Sequence, residues 1–188
     1  PNIKDINLCF MDIEVSTEGR FPVPWLAEYP INLIILNFAE HSVQFGTLDI
    51  DDETLEKYKE LNCTYIKCST EQELLTGTFD YIREHNVDIL SGWNFAYDTE
   101  YTNRRAKKLG IPINLMSRMP KGSEKAYFDE KKRELHIAGT EVMDFLALYK
   151  KYTFSEEPRY QLDAIGEKEV GEDKVRHPDG YLSWKSYA

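Results

Sequence analysis

The sequence predicts an α/β fold, a mixed sheet flanked by helices with an inserted β-hairpin. Three observations predict it. The chain opens on Ile6–Val15, a run apolar on both faces until two acids interrupt it, as in a central strand covered on both sides. Two further apolar runs, Ile31–Phe38 and Val43–Ile50, are joined by a short connection and pair as a hairpin. From residue 64 onward extended and helical patterns alternate, which implies strand–helix crossovers onto the same sheet. A length of 188 residues and a mass of 22.0 kDa suit one domain spanning 1–188.

The elements follow in order. Gly19, Pro22 and Pro24 mark a loop after the first strand, and Ala39–Ser42 is the hairpin connection. Asp51–Asn62 is charged and fits a short helix; Thr64–Cys68 is a strand. Thr70 and Glu73 have the spacing of a capping box. Leu75, Phe79 and Ile82 then recur at i, i+4 and i+7, predicting an amphipathic helix over 71–85. Val87–Leu90 is a short strand closed by Ser91-Gly92-Trp93-Asn94, and a helix over Asp98–Leu109 stops at Gly110 and Pro112. Residues 113–124 are irregular. Ala126–Phe128 and Glu134–Ile137 flank the polar turn 129–133 and predict the inserted hairpin. Glu141–Asp144 is extended and leads into a helix over Phe145–Tyr152, with another short helix over Gln161–Glu167. The polar tail Gly171–Ala188 is expected to be loose.

Charge narrows the function. The 33 acidic and 23 basic residues leave a net charge of −10, which counts against gripping duplex DNA by neutralising its phosphates. A small acidic pocket in which cations bridge carboxylates to a phosphate remains open. Cys9, Cys63 and Cys68 are odd in number, form no zinc pattern, and read as reduced thiols. No apolar run is long enough to span a bilayer.

The chemistry-bearing residues are acids. Asp12 and Glu14 stand at i and i+2 of a strand, so both point to one face. Carboxylates that close repel, and burial sharpens the repulsion unless a cation sits between them. Hard ions such as Mg²⁺ and Mn²⁺ prefer those oxygens. The alternative is that the strand has ended and both acids are solvated. Asp98 falls in the first turn of a helix just past the carboxyl end of a strand, where open α/β sheets bind ligands; the alternative is an acid favoured only by the helix dipole. Trp93, Phe95 and Tyr97 are either core or a stacking face for a base. Arg104, Arg105, Lys107 and Lys108 read as a solvated face, or as an attractor of phosphates. Lys131-Lys132-Arg133 reads as a polar turn. His41, His85, His136 and His177 form no spaced cluster.

Taken together, these residues resemble the 3′–5′ exonuclease domain of family B DNA polymerases, particularly the T-even bacteriophage type. Phe10-Met11-Asp12-Ile13-Glu14-Val15 is similar to that family's first exonuclease motif, and Gly92-Trp93-Asn94-Phe95-Ala96-Tyr97-Asp98 to its second, with a spacer of two residues here. Val142–Lys151, followed by Phe154 and Tyr160-Gln161-Leu162-Asp163, resembles the segment after the family's hairpin. The resemblance implies a ribonuclease H-like fold, a site holding two Mg²⁺ or Mn²⁺ ions, and proofreading hydrolysis of a single-stranded DNA 3′ end. It implies that Asp12 bridges both ions, Glu14 holds the ion that generates hydroxide, and Asp98 binds the other. It also implies that Ile13, Asn94, Phe95 and Tyr97 contact the nucleic acid, that the hairpin helps part the primer end from its template, and that the protein works in the cytoplasm of a bacterial or phage-infected host.

The family's third motif, Tyr-x(3)-Asp, is not found after Asp98; the nearest strings, Tyr160-x(2)-Asp163, Tyr152-x(3)-Glu156 and Tyr181-x(3)-Lys185, miss in type or spacing. The chain is therefore expected to be a fragment, weakly active or inactive alone, whose partner is the remainder of a polymerase in the same or another chain. Two other readings stay open: a non-catalytic DNA-binding or assembly part of a split or degenerate polymerase, and a free-standing four-acid exonuclease acting on DNA or RNA.

Overall fold

The computed structural model describes residues 5–17, 20–123, 125–153 and 156–171. These hold eight strands: β1 (Leu8–Val15), β2 (Ile31–Asn37), β3 (Ser42–Gly46), β4 (Cys63–Lys67), β5 (Ile89–Gly92), β6 (Ala126–Asp129), β7 (Glu134–Ile137) and β8 (Glu141–Asp144). They also hold helices α1 (Asp52–Glu60), α2 (Glu71–Glu84), α3 (Phe95–Lys108), α4 (Phe145–Tyr152) and α5 (Leu162–Val170). Six strands make one mixed sheet in the order β4-β3-β2-β1-β5-β8, and β6 pairs with β7 as a separate hairpin. β1, β2 and β3 are antiparallel, while β4, β5 and β8 each join a parallel neighbour. The mixed α/β architecture expected from the pattern is the one observed.

β1 is internal to the sheet, and its alternation explains why. Cys9, Met11 and Ile13 are buried and share a core with Leu74, Leu75, Phe79 and Ile82 of α2 and Phe95, Tyr101 and Ala106 of α3. Each such aliphatic or aromatic side chain contributes about 1.5–3 kcal/mol when fully buried. That face alone anchors the strand. The opposite face carries Leu8, Phe10, Asp12 and Glu14. Here the expectation of cover on both sides needs correction: Leu8 and Asp12 are exposed, and Phe10 is half-buried under the edge of Phe145, 5.6 Å away at the start of α4. The half-open face is the one that bears the two acids.

Local chemistry sets the boundaries. Thr70 caps α2 by accepting the Glu73 N–H at 3.1 Å, and the Glu73 carboxylate reaches back to the Ser69 N–H at 2.7 Å. β3 ends at Gly46, earlier than its apolar run, and Asp51 caps α1 by accepting the Thr54 N–H at 2.8 Å. The piece 141–144 proves to be an edge strand paired with β5, Gly92 lying opposite Asp144. α5 runs on to Val170 and ends at Gly171 in the left-handed conformation, φ +73°. The tail beyond Gly171, with Tyr181, and Phe154 lie outside the described residues. Among the described residues no helix is long and apolar enough to cross a membrane.

Candidate active site

The site is made by a strand that stops early. β5 pairs with β1 only as far as Phe10, opposite Ser91. β1 continues to Val15 with β2 on its other side. The first turn of α3 fills the place that a longer β5 would take. The turn into that helix is only Trp93-Asn94, so α3 begins at Phe95, three residues before the expected start. Two residues make so tight a turn possible. Asn94 takes the left-handed conformation, φ +57°, which asparagine tolerates better than most residues. Gly92 leaves room: a Cβ there would lie 2.5 Å from the Phe95 ring and 2.7 Å from the Met11 carbonyl oxygen.

This geometry brings Asp98 to β1. Its carboxyl lies near the backbone N–H of Ile13, between Asp12 and Glu14 in the chain, which favours its charged form. Asp98 is 5 % exposed. Burial, then the carboxylate of Asp12, pushes its pKa up to about 8; its own and the Ile13 backbone N–H work against the shift, and Asp144 adds to it. Tyr97 stands beside the same group: burial raises its phenol, and the charges of Tyr101, Asp98 and Glu14 raise it further. Asp98, 86 positions from Asp12 in the sequence, thus comes to lie beside Asp12 near the end of β1.

The other residues expected to touch nucleic acid divide. Asn94 is exposed and Tyr97 half-buried, whereas Ile13 and Phe95 are buried in the core. Neither Ile13 nor Phe95 offers a side-chain face to a base. Trp93 packs near Phe145 and Tyr149, and its indole N–H donates to the Tyr160 carbonyl at 3.0 Å.

One residue beside the site was not singled out from sequence. Phe21 is 82 % exposed, yet its ring lies 5.6 Å from that of Tyr97, beside the acids. A phenylalanine in a proline-rich loop shortly after Glu14 was the available signal. Asp144 ends β8, caps α4 by accepting the N–H of Leu146 at 2.9 Å, and is a second acid, after Asp12, acting on Asp98. A groove of about 590 Å³ starts at Asp144 and passes Leu135, Ile137, His136 and Tyr127 of the hairpin.

Arg104 and Arg105 of α3 fit neither reading offered by the sequence, whereas Lys107 and Lys108 are exposed. Arg104 pairs with Glu100 and Glu130, and Arg105 with Glu71. Lys108 donates to the carbonyls of Leu26 and Ala27 at 2.7 and 2.8 Å. Arg133 of the hairpin turn is bound to Glu100 at 2.7 Å, so the turn is fastened to α3 rather than merely solvated.

Among the described residues no group of three or more His, Cys, Asp or Glu side chains is arranged to hold a metal ion. The buried carboxyl of Asp98 against Asp12 is nevertheless the kind of charge conflict that a hard cation relieves. The residues fit a cation with few protein ligands.

Residues 2–165 match the family described as DNA polymerase family B, exonuclease domain. Two DNA-directed DNA polymerases are similar in sequence. That of Escherichia phage RB69 is 26 % identical over 204 residues, covering 95 % of this chain and 22 % of its own. That of Enterobacteria phage T4 is 25 % identical over 207 residues, covering 96 % of this chain and 23 % of its own. The chain thus spans less than a quarter of the length of these relatives.

Proposed function

This chain belongs to the exonuclease domains of family B DNA polymerases, and from that premise we propose that it removes nucleotides from the 3′ end of single-stranded DNA, the proofreading step of a polymerase. The observation that carries the proposal is Asp98, buried near Asp12 at the end of β1 with its pKa raised by that burial and that charge. Asp12, Glu14 and Asp98 would hold Mg²⁺ or Mn²⁺, two ions in a complete site, which supply an activated water and stabilise charge on the leaving 3′ oxygen.

The chain's own residues do the rest. The Asp98 carboxyl, with a pKa of about 8, carries a proton for much of the time at neutral pH, and a ligated carboxylate must release it. The nearby Ile13 amide favours the charged form of the carboxylate as that proton leaves. The acids repel a phosphate until a cation neutralises them, so the site discriminates against nucleic acid without metal. Phe21 and Tyr97 supply a stacking face that accepts any base, which suits removal without regard to sequence. The missing Tyr-x(3)-Asp leaves out one acid and an orienting tyrosine, so the chain alone works weakly; misplacing the water by about 1 Å costs roughly a hundredfold.

A second reading is favoured by one observation, the lack of a three-donor group among the described residues: a non-catalytic part that binds DNA or helps assemble a polymerase. One experiment separates the two. A 5′-labelled single strand is incubated with the chain and Mn²⁺, and its length is followed. Shortening from the 3′ end that disappears in Asp12→Ala supports the nuclease. Binding of the strand with no shortening at any metal concentration leaves the second reading.

A further inference from the structure

The segment 20–31, between the acids of β1 and the start of β2, is fastened to α3 by a single stripe. Tyr97, Tyr101, Arg105 and Lys108 recur at i, i+4, i+8 and i+11, one face of the helix. Each donates to the segment's backbone. Tyr97 reaches the Pro22 carbonyl at 3.0 Å and Tyr101 the Tyr29 carbonyl at 2.9 Å. Arg105 reaches the Ala27 carbonyl at 3.1 Å, and Lys108 the Leu26 and Ala27 carbonyls.

Arg105 is the centre of the fastening. Its guanidinium bonds both oxygens of Glu71 on α2, with Nε to Oε1 at 2.7 Å, and that same Oε1 accepts the Ile31 N–H at 2.8 Å. The two side chains are only 12 % and 10 % exposed. Ala27, whose carbonyl Arg105 holds, is fully buried at φ +42°, a conformation that a residue with a Cβ keeps only when its surroundings impose it. Loops are ordinarily the mobile parts of a fold, and this one is tied down at both ends and in the middle. It also displays its large apolar side chains outward, Phe21 and Trp25 among them. A loop fixed only to stabilise the fold would turn those side chains in.

We propose that Arg105 is a positioning residue of the nuclease site. Through Glu71 and the Ala27 carbonyl it holds the segment 20–30 in one conformation, and so fixes Phe21 against Tyr97 as a preformed face for the terminal bases of a single-stranded DNA. This rests on the nuclease reading. A preformed face avoids the ordering cost of a mobile loop, so affinity for the strand, rather than the chemistry at the acids, depends on Arg105.

The test is a double-mutant cycle on the chain, read as the Kd of fluorescent oligo(dT) in the presence of Ca²⁺. Phe21→Ala and Arg105→Ala are each expected to weaken binding about tenfold, and the double variant to bind no worse than either, because both remove the same face. Arg105→Lys, which keeps one donor of the fork, is expected to recover part of the loss. Unchanged binding in Arg105→Ala, or losses that multiply in full, would overturn the proposal by making Arg105 a purely structural residue. If Arg105→Ala does not fold, the same cycle run with Arg105→Lys and Glu71→Gln decides it. If the parent chain binds no oligo(dT) at all, the nuclease reading has failed; amide exchange then judges the clamp, which stands if Arg105→Ala loses protection only within 21–31 and falls if protection there is unchanged.

Discussion

Asp98 and Glu100 lie two positions apart on α3, are 5 % and 3 % exposed, and are treated in opposite ways. Positions i and i+2 of a helix face away from each other. Asp98 therefore turns towards β1, where the charges acting on it are other carboxylates. Glu100 turns towards the hairpin, where Arg133 grips one of its oxygens at 2.7 Å and Arg104 approaches the other at 3.6 Å. Glu71, also well buried, has Arg105. An uncompensated buried carboxylate is costly. The fold answers that cost with arginine at Glu100 and Glu71, yet surrounds Asp98 with more negative charge. The difference separates acids paired to hold the fold from one that, on the proposed function, would take a cation.

The sharpest way to test that difference is activity. Asp98→Asn keeps the shape of the site but loses a charge, and 3′ digestion in Mn²⁺ is expected to drop by roughly a thousandfold, several kcal/mol of transition-state stabilisation. Glu100→Gln should leave the rate within about threefold. Equal losses in both would erase the distinction.

Stability against pH comes next. In a chelator, folded Asp98 titrates near pH 8 while its unfolded value is that of an ordinary aspartate. Below about pH 4 both states are protonated and the group adds nothing to pH dependence. Between there and pH 8 the folded state keeps a proton that the unfolded state has lost, so stability falls as pH rises, by up to about 5 kcal/mol. Urea melts of the parent at pH 5 and pH 8 should show that decline, and Asp98→Asn should flatten it. A parent whose melts superpose at the two pH values would mean that Asp98 is not the strained member of the pair.

Glu100→Gln should move stability the other way, because it takes the charged partner from Arg133 and leaves Arg104 with Glu130 alone. The loss expected is about 2 kcal/mol, below the usual figure for a buried pair because Arg133 is half exposed. A midpoint unchanged in urea would show that Glu100 is as dispensable as a surface acid. The smallest effect is that of metal on the parent at pH 8. Mn²⁺ at ten times its Kd should stabilise by roughly 1.4 kcal/mol, and the Asp12→Ala, Glu14→Ala double variant should show no such gain. An equal gain in the double variant would place the ion elsewhere.

The acids were legible in the sequence because their placement is local: strand alternation fixes Asp12 and Glu14 on one face, and a helix start fixes Asp98 near a strand end. The sheet was legible for the same reason, from apolar runs and a capping box. The early start of α3 was missed because Asn94 in the left-handed conformation looks, in sequence, like part of a turn. The half-open face of β1 was missed because Leu8 and Phe10 carry no mark of how little covers them. The roles of Arg104 and Arg105 were out of reach for another reason. Their partners, Glu130 and Glu71, sit 26 and 34 positions away on other elements, and a run of basic residues looks alike whether it faces water or a buried acid.

Gly92 carries a consequence for how such a sequence can vary. A single methyl group there meets a ring on one side and a carbonyl oxygen on the other, so the first turn of α3 has to move outward to accept it. That turn carries Asp98. The position therefore joins two demands that are elsewhere separate, close packing under β1 and the placing of a charge, and no side chain satisfies both. Substitution at Gly92 is expected to be tolerated only in copies of this domain that have already lost their chemistry, which makes that one residue a marker, readable in any related sequence, of whether the acid beside β1 is still in use.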